Sequence, residues 1–201
     1  MPDTLPFALT TMLARASVPP RLLREPAPGP DALDTAVAAA LRAPDHGGLR
    51  PWRFVFISGA ARAGFGEVLA RSLAIRAPET PPERLEMERM KPMRAPLLVV
   101  AGAVIRHDKR GVPPWEQEAT AAAGTMNFLN ALEALGFGAV WLSSQALQDD
   151  SVKAALGFAP GDALLGWIYV GTPPTDRPKP VRPEPAGFSR DWHGVAQNPP
   201  A

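Results

Sequence analysis

The sequence predicts an α+β domain in which helices cover both faces of one sheet, and three observations support this. The chain has 201 residues, of which 46% are hydrophobic and 20% charged, so it is long enough for one domain with a substantial core. Segments with strand and helix patterns alternate irregularly along it. Long connections rather than hairpin turns join these segments, which favours helices on either side of the sheet.

The first predicted elements are a helix and a strand. Asp31 can cap a helix in which apolar residues recur every four positions from 33 to 41, and Pro44 stops it. Residues 53–57 (RFVFI) have the aromatic and β-branched composition of a strand, which ends at Ser58-Gly59.

The middle of the chain predicts two helices and a buried strand. Residues 61–75 are expected to be helical despite two glycines, and residues 81–93 form a short, highly charged helix flanked by prolines, typical of a surface flap. Residues 97–101 are continuously apolar, which predicts a strand that is buried on both faces.

The longest predicted helix covers residues 115–135, after two prolines and before Gly136. Its middle, residues 119–124, consists of small side chains, which is typical of a helix that another backbone approaches closely. Two further strands are predicted at residues 139–142 and 164–170.

A last, short helix is predicted between these two strands. Either Asp149 or Asp150 can cap its N-terminus, and Gly157 marks its end.

Proline is concentrated at the two ends: of 25 prolines, seven lie in residues 1–30 and eight in residues 171–201. Because proline fixes φ and lacks an amide proton, both ends are predicted to be extended arms rather than regular elements. They are either unpartnered tails or arms that wrap a second subunit. We expect one domain over residues 1–201, with a core at about 12–174 and a C-terminal arm at 175–201.

Composition excludes several classes of function. The formal net charge of +1 argues against a nucleic-acid-binding protein, and no apolar run approaches the roughly 18 residues of a membrane span. The absence of cysteine excludes disulfides, iron–sulfur clusters and thiolate zinc sites, and the three histidines lack metal-ligand spacing. With no secretory signal, a cytoplasmic protein without a metal site, a nucleic-acid partner or a membrane partner is expected.

Motifs of the commonest enzyme classes are also missing. Neither Gly-x-Gly segment, at residues 64–66 and 136–138, completes the dinucleotide-binding fingerprint, and the sequence has no phosphate-binding P-loop. It also lacks the Gly-x-Ser-x-Gly turn of α/β-hydrolases.

The segment 41–54 concentrates polar and aromatic side chains on a loop that contains two glycines and two prolines. Arg42, Asp45, His46 and Trp52 lie within it. Two interpretations are open: a binding loop, or a structural one in which Asp45 and His46 cap the preceding helix and Trp52 belongs to the core.

This segment, with four others in the same order, resembles the short-chain branch of the FMN-dependent nitroreductase family. The branch has an R-x-P-D-H segment shortly before P-W-x-F, an N-terminal R-R-S, a W-E-Q-E helix start, a G-F-G-x-x-W-x-S turn and a G-x-x-Y-x-G-T-P strand. The matching segments of this chain are residues 42–46 with 51–54, 15–17, 115–118, 136–143 and 166–173. The resemblance covers residues 12–174.

The resemblance implies a three-layer α/β/α sandwich with a central mixed sheet, domain-swapped arms and a homodimer with FMN at its interface. Arg15 and Ser17 would bind the flavin phosphate, Arg42 and His46 would serve the neighbouring subunit's flavin, and residues 141–143 would follow the ring edge. The implied FMN-binding residues are Arg15, Ala16, Ser17, Arg42, His46, Trp141, Leu142 and Ser143. Ordinary packing roles for Trp141 in the strand and Trp115 in the helix remain alternatives.

The implied activity is electron transfer from NADH or NADPH to a nitroaromatic or quinone by a ping-pong mechanism. The flavin carries the chemistry, so no catalytic side chain is expected. The alternative is a flavin storage or sensor protein without turnover. Ala16 stands where the family usually has a second basic residue, and Leu142 where some members have arginine, so flavin affinity and acceptor preference are the properties most open to change.

Overall fold

The structure is a computed structural model that describes residues 6–176 and 180–194. Its helices and strands are the following: α1 (Phe7–Ala14), α2 (Pro30–Ala40), β1 (Trp52–Ser58), α3 (Ala61–Arg76), α4 (Pro82–Arg89), β2 (Leu97–Ala103), α5 (Pro114–Ala134), β3 (Gly138–Leu142), α6 (Asp150–Ala155) and β4 (Ala163–Gly171). Every strand and helix predicted from residue 31 onward is present, with ends within a few residues of those expected. The helix predicted at residues 81–93 is shorter in the structure than expected. Helix α4 ends at Arg89, and residues 91–94, which contain Pro92, form a 3₁₀ turn.

The four strands form one sheet in the order β1-β2-β4-β3, and all three neighbouring pairs are antiparallel. This confirms the α+β class. Within the described residues, parallel pairing is confined to a bridge between Ser17 and Ala139, where the N-terminal segment runs beside β3. The sheet is therefore mixed only through that bridge.

Helices cover both faces of the sheet, which gives the expected three layers. On one face, Phe65 and Leu69 of α3 and Val152 of α6 pack against Leu98 and Val100. On the other face, residues of α2 and α5 pack against the alternate positions of the same strand; these are Ala36, Ala40, Phe128 and Leu132, against Leu97, Val99 and Ala101. Since side chains alternate between faces, all seven residues of β2 are buried, as its apolar run predicts.

The prediction that residues 1–30 lack regular structure is wrong for residues 7–14, which form α1. The physical reason is the position of the prolines: Pro6 precedes the helix and the next proline is Pro19, so nothing between them interrupts helical hydrogen bonding. The described parts of the C-terminal arm, residues 175–176 and 180–194, contain a 3₁₀ turn at Pro185–Gly187 and neither an α-helix nor a strand.

Two capping predictions have different outcomes. Gly29, not Asp31, occupies the N-cap of α2, and Asp31 lies in the first turn, where its charge favours the positive helix end. At α6 the cap is Asp149 rather than Asp150, since its side chain accepts a hydrogen bond from the Ser151 amide.

The small residues of α5 are used partly within the chain. Gly124 lies against the Trp52 indole and the Ala40 carbonyl, so a Cβ there would stand 2.5 Å from the ring and 3.0 Å from the oxygen. Trp52 also donates through Nε1 to the Thr120 carbonyl at 3.0 Å. The close approach predicted for residues 119–124 is therefore made, on this side of the helix, by β1 and α2.

Replacing Gly124 with alanine should destabilise the fold by about 1–3 kcal/mol, because the buried indole has no space to give way. Chemical denaturation followed by tryptophan fluorescence measures this. Gly64→Ala is the matched control: nothing lies within 4 Å of a Cβ there, and the helical position should gain up to ~1 kcal/mol. Equal stability of the two variants would contradict the packing argument.

Asp149 connects α6 to α3. Its carboxylate accepts hydrogen bonds from the Ser151 amide at 2.8 Å and from the Ser72 hydroxyl, and Arg76 Nε lies 3.4 Å away. Burial disfavours the charge and by itself would raise the pKa, but the hydrogen bonds from Ser151 and Ser72 outweigh it and lower the Asp149 pKa to about 2.

Because this pKa lies below that of an unfolded aspartate, the carboxylate stabilises the fold above about pH 4 and loses that effect as the pH falls towards 2. Asp149→Ala should therefore cost about 1–2 kcal/mol of unfolding free energy at pH 7, and the gap to wild type should narrow between pH 4 and pH 2. Urea titrations across this range test both points. Asp150→Ala, which removes an exposed carboxylate from the same helix, should change stability little at any pH.

Candidate functional site

The N-terminal segment runs parallel to β3 and extends the edge of the sheet. Ser17 pairs with Ala139, and the Val18 amide donates to the Ala139 carbonyl at 3.0 Å. The structure thus brings residues 15–17 next to the strand that leads into residues 141–143. Of the first group, Ala16 is only 6% exposed, whereas Ser17 is exposed.

Beyond this bridge the edge of β3 is open. The Ala139 carbonyl points away from β4. Because the backbone groups of successive residues in a strand point to alternate sides, the N–H and C=O of Trp141, two residues later, point away from β4 as well. Within the described chain no backbone group pairs with them. Leu142 follows with a side chain that is 39% exposed, and then Ser143, which is also exposed.

The Trp141 side chain has a packing role. Its Nε1 donates to the Leu165 carbonyl at 3.0 Å, and the indole lies against Gly166, where a Cβ would stand 2.2 Å from Nε1. Of the two interpretations of this residue, ordinary strand packing holds for the ring. Its backbone is the part that remains available at the sheet edge.

A cavity of about 450 Å³ opens beside Leu142. Pro19, Pro20 and Leu142 give it apolar walls, and Arg21 and Arg94 also line it. Sequence reasoning missed both arginines. Arg21 lies in a 3₁₀ turn four residues after Ser17, and Arg94 reaches the cavity from the 3₁₀ turn that follows α4, so no local signal in the sequence joins the two.

Arg42 and His46 lie elsewhere, around the loop that leads into β1. Arg42 is exposed beyond the end of α2 and lines a second cavity, of about 400 Å³, between α1, α2 and α5. His46 Nδ1 is 2.6 Å from Glu116 Oε1, which links the loop to the start of α5.

The loop around these residues is held by Asp45. Its two carboxylate oxygens accept from the amides of Leu49 at 3.1 Å and Arg50 at 2.8 Å, and Arg50 has a positive φ of 51°. Asp45 therefore caps the turn that follows it rather than the helix before it. Trp52 is buried, so the structural interpretation is correct for that residue, while Arg42 and His46 remain exposed.

The predicted site residues consequently form two groups at opposite edges of the sheet. One group is on the β3 edge and comprises Arg15, Ala16, Ser17, Trp141, Leu142 and Ser143. The other, Arg42 and His46, is near the start of β1. Arg42 nevertheless borders the same cavity as Thr11 and Met12 of α1, the helix that ends one residue before Arg15. Among the described residues no hydrogen bond or ion pair joins the two groups.

The C-terminal arm reaches the first group. Arg182 Nη2 donates to the Arg15 carbonyl at 2.9 Å, which places residue 182 beside the segment that runs along β3. Residues 177–179, which precede this contact, and residues 195–201 lie outside the described part of the chain.

The described residues contain neither a metal-site cluster nor a membrane-spanning helix. Among them, no group of three or more histidine, cysteine, aspartate or glutamate side chains has the arrangement of a metal site. No helix in this part of the chain is long and apolar enough to cross a membrane.

Comparison with known proteins gives sequence relatives over most of the chain. The sequence profile of the Nitroreductase family matches residues 13–172. The Escherichia coli K12 protein named "Putative NAD(P)H nitroreductase YdjA" is 34% identical over 167 residues, which is 83% of this chain and 90% of that protein. The Haemophilus influenzae protein named "Putative NAD(P)H nitroreductase" is 30% identical over 165 residues, which is 82% of this chain and 88% of its own length.

Solved structures show the same fold at lower identity. A nitroreductase-like family protein from Bacillus cereus has a TM-score of 0.78 at 20% identity and covers 96% of this chain and 100% of its own. A nitroreductase with bound FMN from Bacteroides fragilis has a TM-score of 0.70 at 18% identity, covering 94% and 100%. The profile match, the relatives at 30% identity or more and the shared fold agree: this chain belongs to the nitroreductase family of oxidoreductases.

Proposed function

We propose that this protein is an FMN-dependent oxidoreductase that passes electrons from NADH or NADPH to a small electron-poor acceptor, a nitroaromatic or a quinone. The observation that carries the proposal is the pairing of Ser17 with Ala139, which makes residues 15–17 and 141–143 one continuous strip along the sheet edge. The family membership and the names of the sequence relatives support the same reaction type.

The residues of this strip fit the chemical groups of FMN. At one end, the Arg15 guanidinium and the Ser17 hydroxyl can donate charge-assisted hydrogen bonds to a phosphate. At the other end, the outward backbone groups of Trp141 can meet the polar edge of the ring. Ser17 lies opposite Ala139, three residues from Leu142, so the two ends are about 10 Å apart, a separation that a ribityl chain can cover.

Bound FMN would supply the redox chemistry, accepting a hydride from the nicotinamide and passing electrons to the acceptor. The protein's own residues then bind and orient: Arg15 and Ser17 hold the phosphate, and the β3 edge holds the ring. The apolar side chain of Leu142 borders the space beside that ring. One cavity serves first the nicotinamide and then the acceptor, which is the basis of the proposed ping-pong order.

We also propose that each site is completed by a second copy of the chain in a homodimer. Among the described residues, Arg42 and His46 have no hydrogen bond or ion pair to the strip, and we assign them to the partner's flavin. Large apolar side chains also remain in water in the single chain, with Trp115 69% and Trp192 81% exposed. Such residues are typical of subunit interfaces. Further members of this exposed set are Phe7, Leu13, Leu41, Met126 and Phe188.

The purified protein should be yellow, with the absorption bands of oxidised flavin and one FMN per chain, and should oxidise NADH or NADPH faster when a quinone is present. Absorbance spectra and steady-state assays measure both. A protein that takes up no FMN after incubation with it would overturn the proposal. Bound FMN without any acceptor-dependent rate would instead favour the flavin storage or sensor alternative.

Arg15→Ala and Arg42→Ala should each weaken FMN binding roughly ten- to a hundredfold, since each removes a charge-assisted contact. Titration of the apoprotein by flavin fluorescence measures the dissociation constants. Arg71→Ala removes an exposed arginine from α3 and should leave them unchanged, whereas Trp115→Phe should weaken binding less than either site variant does. Unchanged affinity in both site variants would show that these residues are assigned wrongly.

The same two variants test the shared site. If Arg15 and Arg42 serve one flavin from opposite subunits, a heterodimer of the two variants has one intact site and one doubly damaged site. Statistical re-association makes about half of the dimers heterodimers, so mixing should restore about a quarter of the tight FMN sites, which neither homodimer shows. A monomer by light scattering that retains FMN, or heterodimers without recovery, would contradict the dimeric site.

A further inference from the structure

The cavity beside Leu142 is lined by two arginines that the proposed FMN-binding strip does not use. Arg21 and Arg94 both line it, and a guanidinium is charged at every pH at which the protein is folded. Within residues 6–176 and 180–194 neither side chain forms an ion pair or a hydrogen bond. Two unpaired cations facing one concave surface favour an anion in the space between them.

Two acidic residues near Arg94 are already engaged, whereas Glu83, which borders another cavity together with Arg94, has no ion pair among the described residues. Glu86 of α4 pairs with Arg89, and Glu88 pairs with Lys91 and lies 4.0 Å from Arg84. These ion pairs involve Arg84, Arg89 and Lys91 and do not include Arg94, whose charge and that of Glu88 both act on the buried Tyr169 hydroxyl.

The two arginines share their cavity with Leu142, which belongs to the end of the strip assigned to the ring. The parallel pairing with β3 is a single bridge at Ser17, after which residues 20–22 form a 3₁₀ turn that brings Arg21 to this cavity. Arg94 meets the same cavity as Leu142. The charge thus lies where the proposed flavin presents its ring, which is also where a substrate has to approach.

We propose that Arg21 and Arg94 bind an anionic group, a carboxylate or a phosphate, on the small molecule that exchanges electrons with the flavin. The walls formed by Pro19, Pro20 and Leu142 take the apolar part of that molecule, and the guanidinium groups take its charge. This specificity rests on the proposed function, because it assigns the cavity to the flavin's substrates. Two sources share the chemistry: an aromatic carboxylate acceptor, and the 2′-phosphate of NADPH.

Isothermal titration calorimetry on the purified protein as isolated separates these sources. Benzoate is compared with benzamide, and NADP⁺ with NAD⁺, because each pair differs in one anionic group. We expect wild type to bind the more anionic member of at least one pair about tenfold or more tightly, and Arg21→Ala and Arg94→Ala to remove that preference. Arg94→Lys should retain part of it, and Arg71→Ala all of it. The pair that responds identifies the source.

A steady-state kinetic experiment makes the same comparison with two nitroaromatic acceptors, 4-nitrobenzoate and its neutral amide. In Arg94→Ala the KM for the carboxylate should rise about tenfold while the KM for the amide stays constant. Equal affinities within both calorimetric pairs in wild type would overturn the inference. So would variants that keep the preference, or variants that lose FMN, because the arginines would then hold the cofactor. If wild type binds no FMN the proposed function fails, and the calorimetry still decides whether the cavity selects anions.

Discussion

Every residue of β2 is buried, and in a strand whose side chains alternate this requires a cover on each face of the sheet. Leu98 and Val100 are covered by α3 and α6, while Leu97 and Val99 are covered by α2 and α5. The three layers follow from that requirement. So does the position of the long helix α5, which must lie flat on the sheet for Phe128 and Leu132 to reach the central strands.

Double cover of the centre leaves the edges of the sheet as the places where backbone groups can meet a ligand. β1 and β3 are these edges, and both groups of predicted site residues lie there. The N-terminal segment uses part of the β3 edge through the Val18–Ala139 hydrogen bond and leaves the rest open. An edge that a second chain can approach is also compatible with a site shared between subunits, which a fully covered centre would not allow.

The elements were predictable from the sequence because their signals are local: apolar periodicity, prolines before α4 and α5, and an aspartate at the start of α6. Helix α1 was not predicted because the proline content of residues 1–30 is high as a whole, although residues 7–14 contain no proline. The cavity could not be predicted in this way. Arg21 and Arg94 are far apart in sequence and meet only because the N-terminal segment pairs with β3 while the turn after α4 closes beside it. The resemblance identified the strip through its motifs, but only the fold shows that Trp141 contributes backbone rather than ring.

The contact of the Trp141 indole with Gly166 couples two positions on neighbouring strands. Gly166 has a φ of 153°, and the indole occupies the space that a side chain at 166 would need. The indole Nε1 donates a hydrogen bond to the adjacent Leu165 carbonyl. A Cβ at 166 would also stand 2.6 Å from the Leu142 carbonyl oxygen, and a smaller side chain at 141 does not remove that clash. The dependence therefore runs one way, because tryptophan at 141 requires glycine at 166, whereas glycine at 166 stays required when residue 141 is smaller. Across an alignment of relatives, glycine at 166 is expected to persist in sequences that lack the tryptophan.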